Sequence, residues 1–364
     1  MIRHLYIHVP FCAAKCHYCA FYSEAGNVDT MDAYVSALCA EMDRWVDRLR
    51  PRTIFFGGGT PSLLPAGLMA RLLGHIRNHV PLDDLREWTV ECNPSTVTSE
   101  KARLFREHGV NRISMGVQAL DDDLLDKLGR VHSVSAAESS YRKLREAGFD
   151  NVNLDLIFGL PGQTMEYWRS TLERVIEWQP EHISAYCLIL EEDTAYWSLL
   201  QQGLICPDEE LELSMYETGI DMLKAGGYRQ YEISNFSKPG RECAHNCAYW
   251  RVDDFLGLGP SACSTVGTDR WQNVSDTARY IEAMNAGISA RCFEELVTES
   301  LRASERAAFG MRMNEGVPAS LLNDRWDRQV SELLSAELVQ WRNGRLQPTR
   351  RGILMADMVA AEFL

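Results

Sequence analysis

His4–Phe21 reads HLYIHVPFCAAKCHYCAF. Its first half, His4 to Val9, is mostly apolar with β-branched and aromatic side chains, which predicts a buried strand. Pro10 ends that strand because it cannot donate to a ladder. Cys12, Cys16 and Cys19 follow at C-x3-C-x2-C spacing. Three thiolates this close suit a soft, thiophilic metal centre better than an oxygen-loving cation. Delivered from one loop, they can ring one edge of an iron–sulfur cluster. Zinc would call for a fourth protein ligand, and His17 is the only local candidate. The expectation is a [4Fe–4S] cluster with three cysteine ligands and one iron left open. Buried free cysteines or half of a disulfide form the bland alternative, but core packing alone does not produce this spacing at a strand-to-loop junction.

The 364-residue chain is long enough for one large and one smaller domain. Its composition is that of a globular protein, with 46% hydrophobic and 24% charged residues. No uninterrupted apolar stretch reaches the ~20 residues of a bilayer span, so no integral membrane segment is expected. The strand begins almost at the first residue, leaving no room for a secretory signal. The net charge of −14 opposes nucleic acid as the main partner, since phosphate binding needs a basic face. Eleven cysteines without a signal sequence point to a reducing cytoplasm, and the odd number rules out a complete disulfide framework. The expected location is cytoplasmic, with any membrane contact made through a partner.

Beyond the cysteines, strands and amphipathic helices alternate. Strands are predicted at Thr53–Phe56, Glu87–Glu91, Arg112–Val117, Asn151–Phe158 and His182–Leu190, each read as apolar on both faces. Helices are predicted at Thr30–Arg50, Leu68–His79, Ser99–Gly109, Ser135–Ala147 and Met165–Trp178. Six β-α units within about 190 residues predict an α/β fold with a parallel sheet curled into a partial barrel, because a full eightfold barrel needs about 250. Functional groups in such folds gather at the C-terminal ends of the strands. After a long helix at Pro207–Gly226 and a strand and turn at Arg229–Phe236, residues 237–249 (SKPGRECAHNCAY) read as a loop. From about Val297 a small unit follows, with two helices, an Asn343-Gly344 hairpin turn and a last helix, resembling a winged helix. Given the acidic chain, it reads as a lid or scaffold. The domain expectation is residues 1–235 for the barrel, 236–296 for a connecting segment and 297–364 for the C-terminal domain.

Chemistry-bearing residues fall where these strands end. Gly57-Gly58-Gly59-Thr60-Pro61 lacks the Lys-Ser/Thr of a phosphate loop but lets backbone approach a ligand closely. Glu91 ends a strand, where a carboxylate can hold an ammonium or a ribose hydroxyl. Gln118, Arg130 and Asp155 lie at or just after later strand ends. His245 and Cys247, in HNCAYW, are both residue types that ligate haem iron, and their aromatic neighbours can cover a porphyrin face.

The cysteine run resembles the signature of the radical S-adenosylmethionine (SAM) superfamily. The longer string LYIHVPFC…C-x-Y-C-x-F resembles its branch of oxygen-independent coproporphyrinogen oxidases and related haem chaperones. The resemblance spans nearly the whole chain and is strongest over residues 1–270. It implies a (β/α)6 partial barrel with a C-terminal domain of the coproporphyrinogen-oxidase type. It carries SAM contacts to Tyr6, Tyr18, Gly58, Gly59, Thr60 and Glu91, and to Ile189. Residues matching Gln118, Arg130 and Asp155 hold a second SAM in the oxidases. HN-x-x-YW is similar to the motif that marks the haem chaperones, with Cys243 a further thiol nearby. True oxidases have a fourth cysteine where this chain has Phe21, and an N-terminal extension that it lacks. The implied function is a haem-binding chaperone that carries a [4Fe–4S] cluster and SAM and passes haem to respiratory proteins, drawing on an electron donor. The alternative is a radical enzyme, either a porphyrinogen decarboxylase or a methyltransferase, using the cluster's electron to split SAM into methionine and a 5′-deoxyadenosyl radical.

Overall fold

Apolar residues on alternating strand positions and on single helix faces leave one solution: a sheet covered outside by helices. The computed structural model describes residues 1–322 and 324–364. Six strands, β1 (Ile2–Val9), β2 (Leu49–Gly58), β3 (Glu87–Cys92), β4 (Arg112–Gln118), β5 (Val152–Phe158) and β6 (His182–Cys187), lie parallel in chain order. Their connecting helices pack Leu38, Leu72, Phe105, Leu144 and Trp168 into one core with Ile54, Val90, Ile113 and Leu154 of the strands. Burying each such side chain contributes roughly 1.5–3 kcal/mol. Helix starts coincide with side-chain caps: Asn27, Thr98, Ser133 and Thr164 each accept a backbone N–H of the first turn.

The sheet continues past both of its expected edges. β7 (Arg229–Gln230) and β8 (Asn235–Ser237) extend it antiparallel beyond β6. β9 (Phe255–Leu258) joins β1 in parallel on the other side, followed by antiparallel β10 (Cys263–Val266), β11 (Asp269–Asn273) and β12 (Arg291–Leu296). Among the described residues the order is β12-β11-β10-β9-β1-β2-β3-β4-β5-β6-β8-β7, an open sheet of twelve strands. Curvature is nonetheless strong, because Tyr6, Phe55, Glu91, Ser114, Asp155 and Tyr186, one from each of β1–β6, line a single interior cavity. This is the expected partial barrel.

Two readings from sequence differ from what the chain does. The strands are not apolar on both faces. Glu87, Thr89 and Glu91 of β3, Arg112 and Ser114 of β4, Asn153 and Asp155 of β5, and His182 and Ser184 of β6 form alternating polar rows. These rows are tied across the sheet: Asn153 Nδ2 donates to Ser114 Oγ at 2.7 Å and to Ser184 Oγ at 3.0 Å. Satisfied in this way, buried polar groups are tolerated. Second, the connecting segment expected over residues 236–296 supplies strands β9–β12 of the main sheet.

The C-terminal unit has a core of its own, with Ala307, Met311, Leu333, Val339, Leu346 and Phe363. Strands β13 (Val317–Pro318), β14 (Val339–Arg342) and β15 (Arg345–Pro348) form a small antiparallel sheet in the order β13-β15-β14. The β14–β15 turn is Asn343-Gly344, both with positive φ (51° and 72°), as a type I′ hairpin requires.

Candidate metal and cofactor centre

The cysteine loop leaves β1 and is fixed at several points. Gly59 N–H donates to Val9 O at 2.8 Å, Thr60 N–H to Phe11 O at 2.8 Å, Cys12 N–H to Glu24 O at 3.0 Å and His17 N–H to Leu128 O at 3.0 Å. Gly59 is required by sterics: a Cβ there would come within 2.8 Å of Phe11 O and 2.9 Å of Phe11 N. Gly58 has φ +100°, a left-handed conformation that favours glycine, and a Cβ there would strike the His8 ring. The two glycines let the β2 tip lie against the cysteine loop without an intervening side chain.

Cys12, Cys16 and Cys19 are free thiols, neither fully buried nor fully exposed. All three line a cavity of about 500 Å³ at the C-terminal ends of the strands. Thr60 Oγ1 sits 3.5 Å from Cys12 Sγ, and Arg130 Nη1 approaches Cys16 Sγ at 3.5 Å. Burial pushes the Cys19 thiol up, reinforced by its two cysteine neighbours. Among the described residues, no three His, Cys, Asp or Glu side chains converge as one mononuclear ion would require. Ligands of a cluster sit on separate irons and need no such convergence.

Tyr18, Gly58, Gly59, Thr60 and Glu91 line the same cavity, as do Gln118, Arg130, Asp155 and Ile189. Tyr6 does not. It lines a second cavity of about 300 Å³, deeper between the strands, to which Glu91 and Asp155 also contribute. Glu91 is a strongly perturbed acid. Burial first and the neighbouring Asp155 second raise it to about 8, opposed by Arg112 and the Gly58 N–H. Burial likewise raises Asp155, against hydrogen bonds from Ser184, Asn153 and Ser114. Gln118 takes a left-handed φ of 67° at the β4 tip, where the register with β5 slips. A non-glycine residue held there is the kind of local strain found at ligand sites. Gly116 makes room for it, since a Cβ would lie 2.8 Å from Gln118 Nε2 and 3.1 Å from Arg130 Nη2.

His245 and Cys247 stand apart. Their segment is a short helix, Ala244–Trp250, rather than a loop. It packs at the N-terminal end of the strands, away from the cysteines. Glu87, the first residue of β3, accepts the Ala244 N–H at 2.8 Å and the His245 N–H at 3.1 Å, placing an anion at the helix start. His245 is 1% exposed. Its Nδ1 is 2.7 Å from Thr53 Oγ1, which also meets His4 Nδ1 at 2.9 Å. The ring stacks on Phe55 at 5.1 Å and meets Tyr249 edge-on at 4.8 Å. Burial lowers the imidazole to about 3 and raises the Cys247 thiol to about 12. The expected pair of open haem ligands is therefore, in this conformation, a buried neutral imidazole and a buried neutral thiol. The helix instead turns Asn246 and Tyr249 toward the inner cavity as part of its lining.

Sequence reasoning also missed Arg112 and Tyr186. Arg112 is 2% exposed, lines the inner cavity, and its Nε has no hydrogen-bond partner among the described residues. A charged residue inside an otherwise strand-like run, RISMGVQ, was the available signal.

A model of the radical SAM superfamily matches residues 6–175, and a HemN C-terminal domain model matches residues 297–355. A heme chaperone HemW of Bacillus subtilis is 36% identical, with 100% of this chain and 99% of the relative covered. The chain belongs to the HemW family of radical SAM proteins. A HemW of Escherichia coli is 41% identical over 71% of this chain and 68% of its own length. Among solved structures, coproporphyrinogen III oxidase (HemN) from Escherichia coli superposes with a TM-score of 0.86, covering 100% of this chain and 90% of its own at 24% identity, a likeness of fold. Membership in the HemW family implies a [4Fe–4S] cluster and SAM. The donor set suits them: three free thiols on one loop, a guanidinium beside one of them, and a glycine-lined approach that admits backbone only. Among the described residues, no helix is long and apolar enough to cross a membrane.

Proposed function

We propose that this chain is a haem-binding chaperone of the radical SAM type, which carries a [4Fe–4S] cluster and SAM and delivers haem to respiratory proteins. The observation that carries the reading is the meeting of Cys12, Cys16 and Cys19 with Gly58, Gly59, Thr60 and Glu91 in one cavity, in a chain alignable end to end with proteins named heme chaperone HemW. Cys12, Cys16 and Cys19 would hold the cluster, and Tyr18, Gly58, Gly59, Thr60, Glu91 and Ile189 would hold SAM. Tyr6 would act from below, through the inner cavity. Held there, a cluster would offer the single electron that SAM cleavage draws on, with an external donor as its source. The protein's own part is binding, alignment and shielding. Ionised Glu91 offers a charge-assisted partner to an ammonium, and Arg130 keeps positive charge beside Cys16. The location is cytoplasmic, with membrane contact supplied by the acceptor.

A second reading, a radical enzyme acting on a porphyrinogen, is favoured by Gln118, Arg130 and Asp155 lining the same cavity, where they would hold a second SAM. Anaerobic reconstitution separates the two. Retained haem without decarboxylation of coproporphyrinogen supports the chaperone, and SAM-dependent decarboxylation without haem retention replaces it. Both readings fail if the reconstituted protein takes up no iron, or keeps it after Cys12→Ala, Cys16→Ala and Cys19→Ala.

A further inference from the structure

Phe21, Val131 and Ile189 are 70%, 52% and 67% exposed. They come from the segments after β1, β4 and β6, far apart in sequence, and all three line the cavity that holds the cysteines. A single exposed apolar side chain is ordinary, but several around the opening of one cavity mark a place where an apolar ligand lies. SAM, assigned to the interior above, accounts for Ile189 and not for Phe21 or Val131. Two cations, Lys15 and Arg130, belong to the same cavity, and Glu191 is a carboxylate at its edge.

Building on the haem-chaperone reading above, we infer that haem seats across this mouth, its macrocycle on Phe21 and Val131, with its propionates toward Lys15. An apolar rim beside a cation suits a macrocycle with carboxylates at one edge, and the haem-chaperone reading supplies that ligand. The assignment continues the cluster cavity outward. It also removes the need for His245 or Cys247 to leave their buried positions.

The test uses the full-length protein, anaerobically reconstituted, titrated with haem and followed by absorption. Phe21→Ser and Val131→Ser each weaken haem binding about three- to tenfold, and the double variant weakens it by about the product, with iron per chain unchanged. His245→Ala leaves the affinity within twofold. Haem bound to the wild-type protein slows release of preloaded SAM at least tenfold, because it covers the exit. If the wild type binds no haem, the chaperone reading itself fails. If the wild type binds haem and the double variant binds it equally well, the mouth assignment is overturned while that reading stands. Should the double variant lose iron, Val131→Ser alone decides, since it lies outside the cysteine loop. An unchanged SAM release rate also overturns the assignment.

Discussion

Arg130 reaches Cys16 Sγ with Nη1 at 3.5 Å while its Nη2 donates to the Gly116 carbonyl at 2.7 Å. The guanidinium is thus fixed by β4 and directed at one of the three thiols. A fixed cation beside a ligating sulfur stabilises the more negative, reduced state of whatever the sulfur binds. Replacing it by Met lowers the midpoint potential of the reconstituted cluster by the order of 60 mV, a tenfold change for one electron. A redox titration followed by electron paramagnetic resonance reads this directly, and an unmoved midpoint would show that Arg130 does not tune the centre.

Gly59→Ala should separate cluster loading from folding. The added Cβ meets the backbone of Phe11 and Pro10, which cannot swing away as a flexible side chain could. The expected cost is about 1–3 kcal/mol, concentrated at the root of the cysteine loop. Denaturant unfolding should show this modest loss while iron per chain falls by more than half. Full iron retention would mean that the loop and the β2 tip are not mechanically coupled.

Glu91 links ligand binding to pH. With its carboxyl at about 8 in the ligand-free protein, it is largely protonated at neutrality and must ionise to receive an ammonium. Affinity for SAM should therefore rise with pH, close to tenfold per unit well below 8, and level off above it. Glu91→Gln should weaken binding and flatten that dependence. Calorimetry across this range decides, and a flat wild-type profile would remove Glu91 as the cation's partner.

His245 and His132 fold neutral, lowered to about 3 and about 4 by burial. In the unfolded chain both titrate near 6.5. As pH falls below 6.5 the unfolded state takes up protons that the folded state refuses, so stability drops progressively until the folded-state values are reached. Denaturant midpoints measured from pH 7 down to about 4.5 should fall, and less steeply in His245→Asn. At pH 7, Glu87→Gln should cost about 1–3 kcal/mol by weakening the acceptor for the Ala244 and His245 N–H groups. No loss would make that contact incidental.

Much of the site was legible because it is local. The strand-proline-cysteine run and the glycines after β2 are local patterns placed by the rule that parallel sheets carry function at their C-terminal edge, whereas the parts given to Glu91, Gln118, Arg130 and Asp155 rest on the family resemblance, Asp155 lying inside β5 and not at its end. The Asn343-Gly344 hairpin was legible as a local pattern too. What escaped depends on distant partners. The helix Ala244–Trp250 is only seven residues long and owes its start to Glu87, about 157 positions earlier in the chain. No local pattern could announce it, and its histidine looked like a free ligand. The polar rows of β4–β6 were visible as Arg112/Ser114, Asn153/Asp155 and His182/Ser184. The intervening Ile, Leu and Val mask these rows, because they dominate the hydrophobic pattern of each strand. Of β9–β12 only β9 pairs with β1, a non-local contact across the chain, whereas β10 and β11 form a local hairpin whose place at the sheet edge depends on β9.

The helix that carries Asn246 and Tyr249 lines the inner cavity, and Glu91 and Asp155 line both that cavity and the one holding the cysteines. Two buried carboxylates therefore lie between the helix at one end of the strands and the thiols at the other, so repacking of either end is felt first by groups whose charge depends on their surroundings.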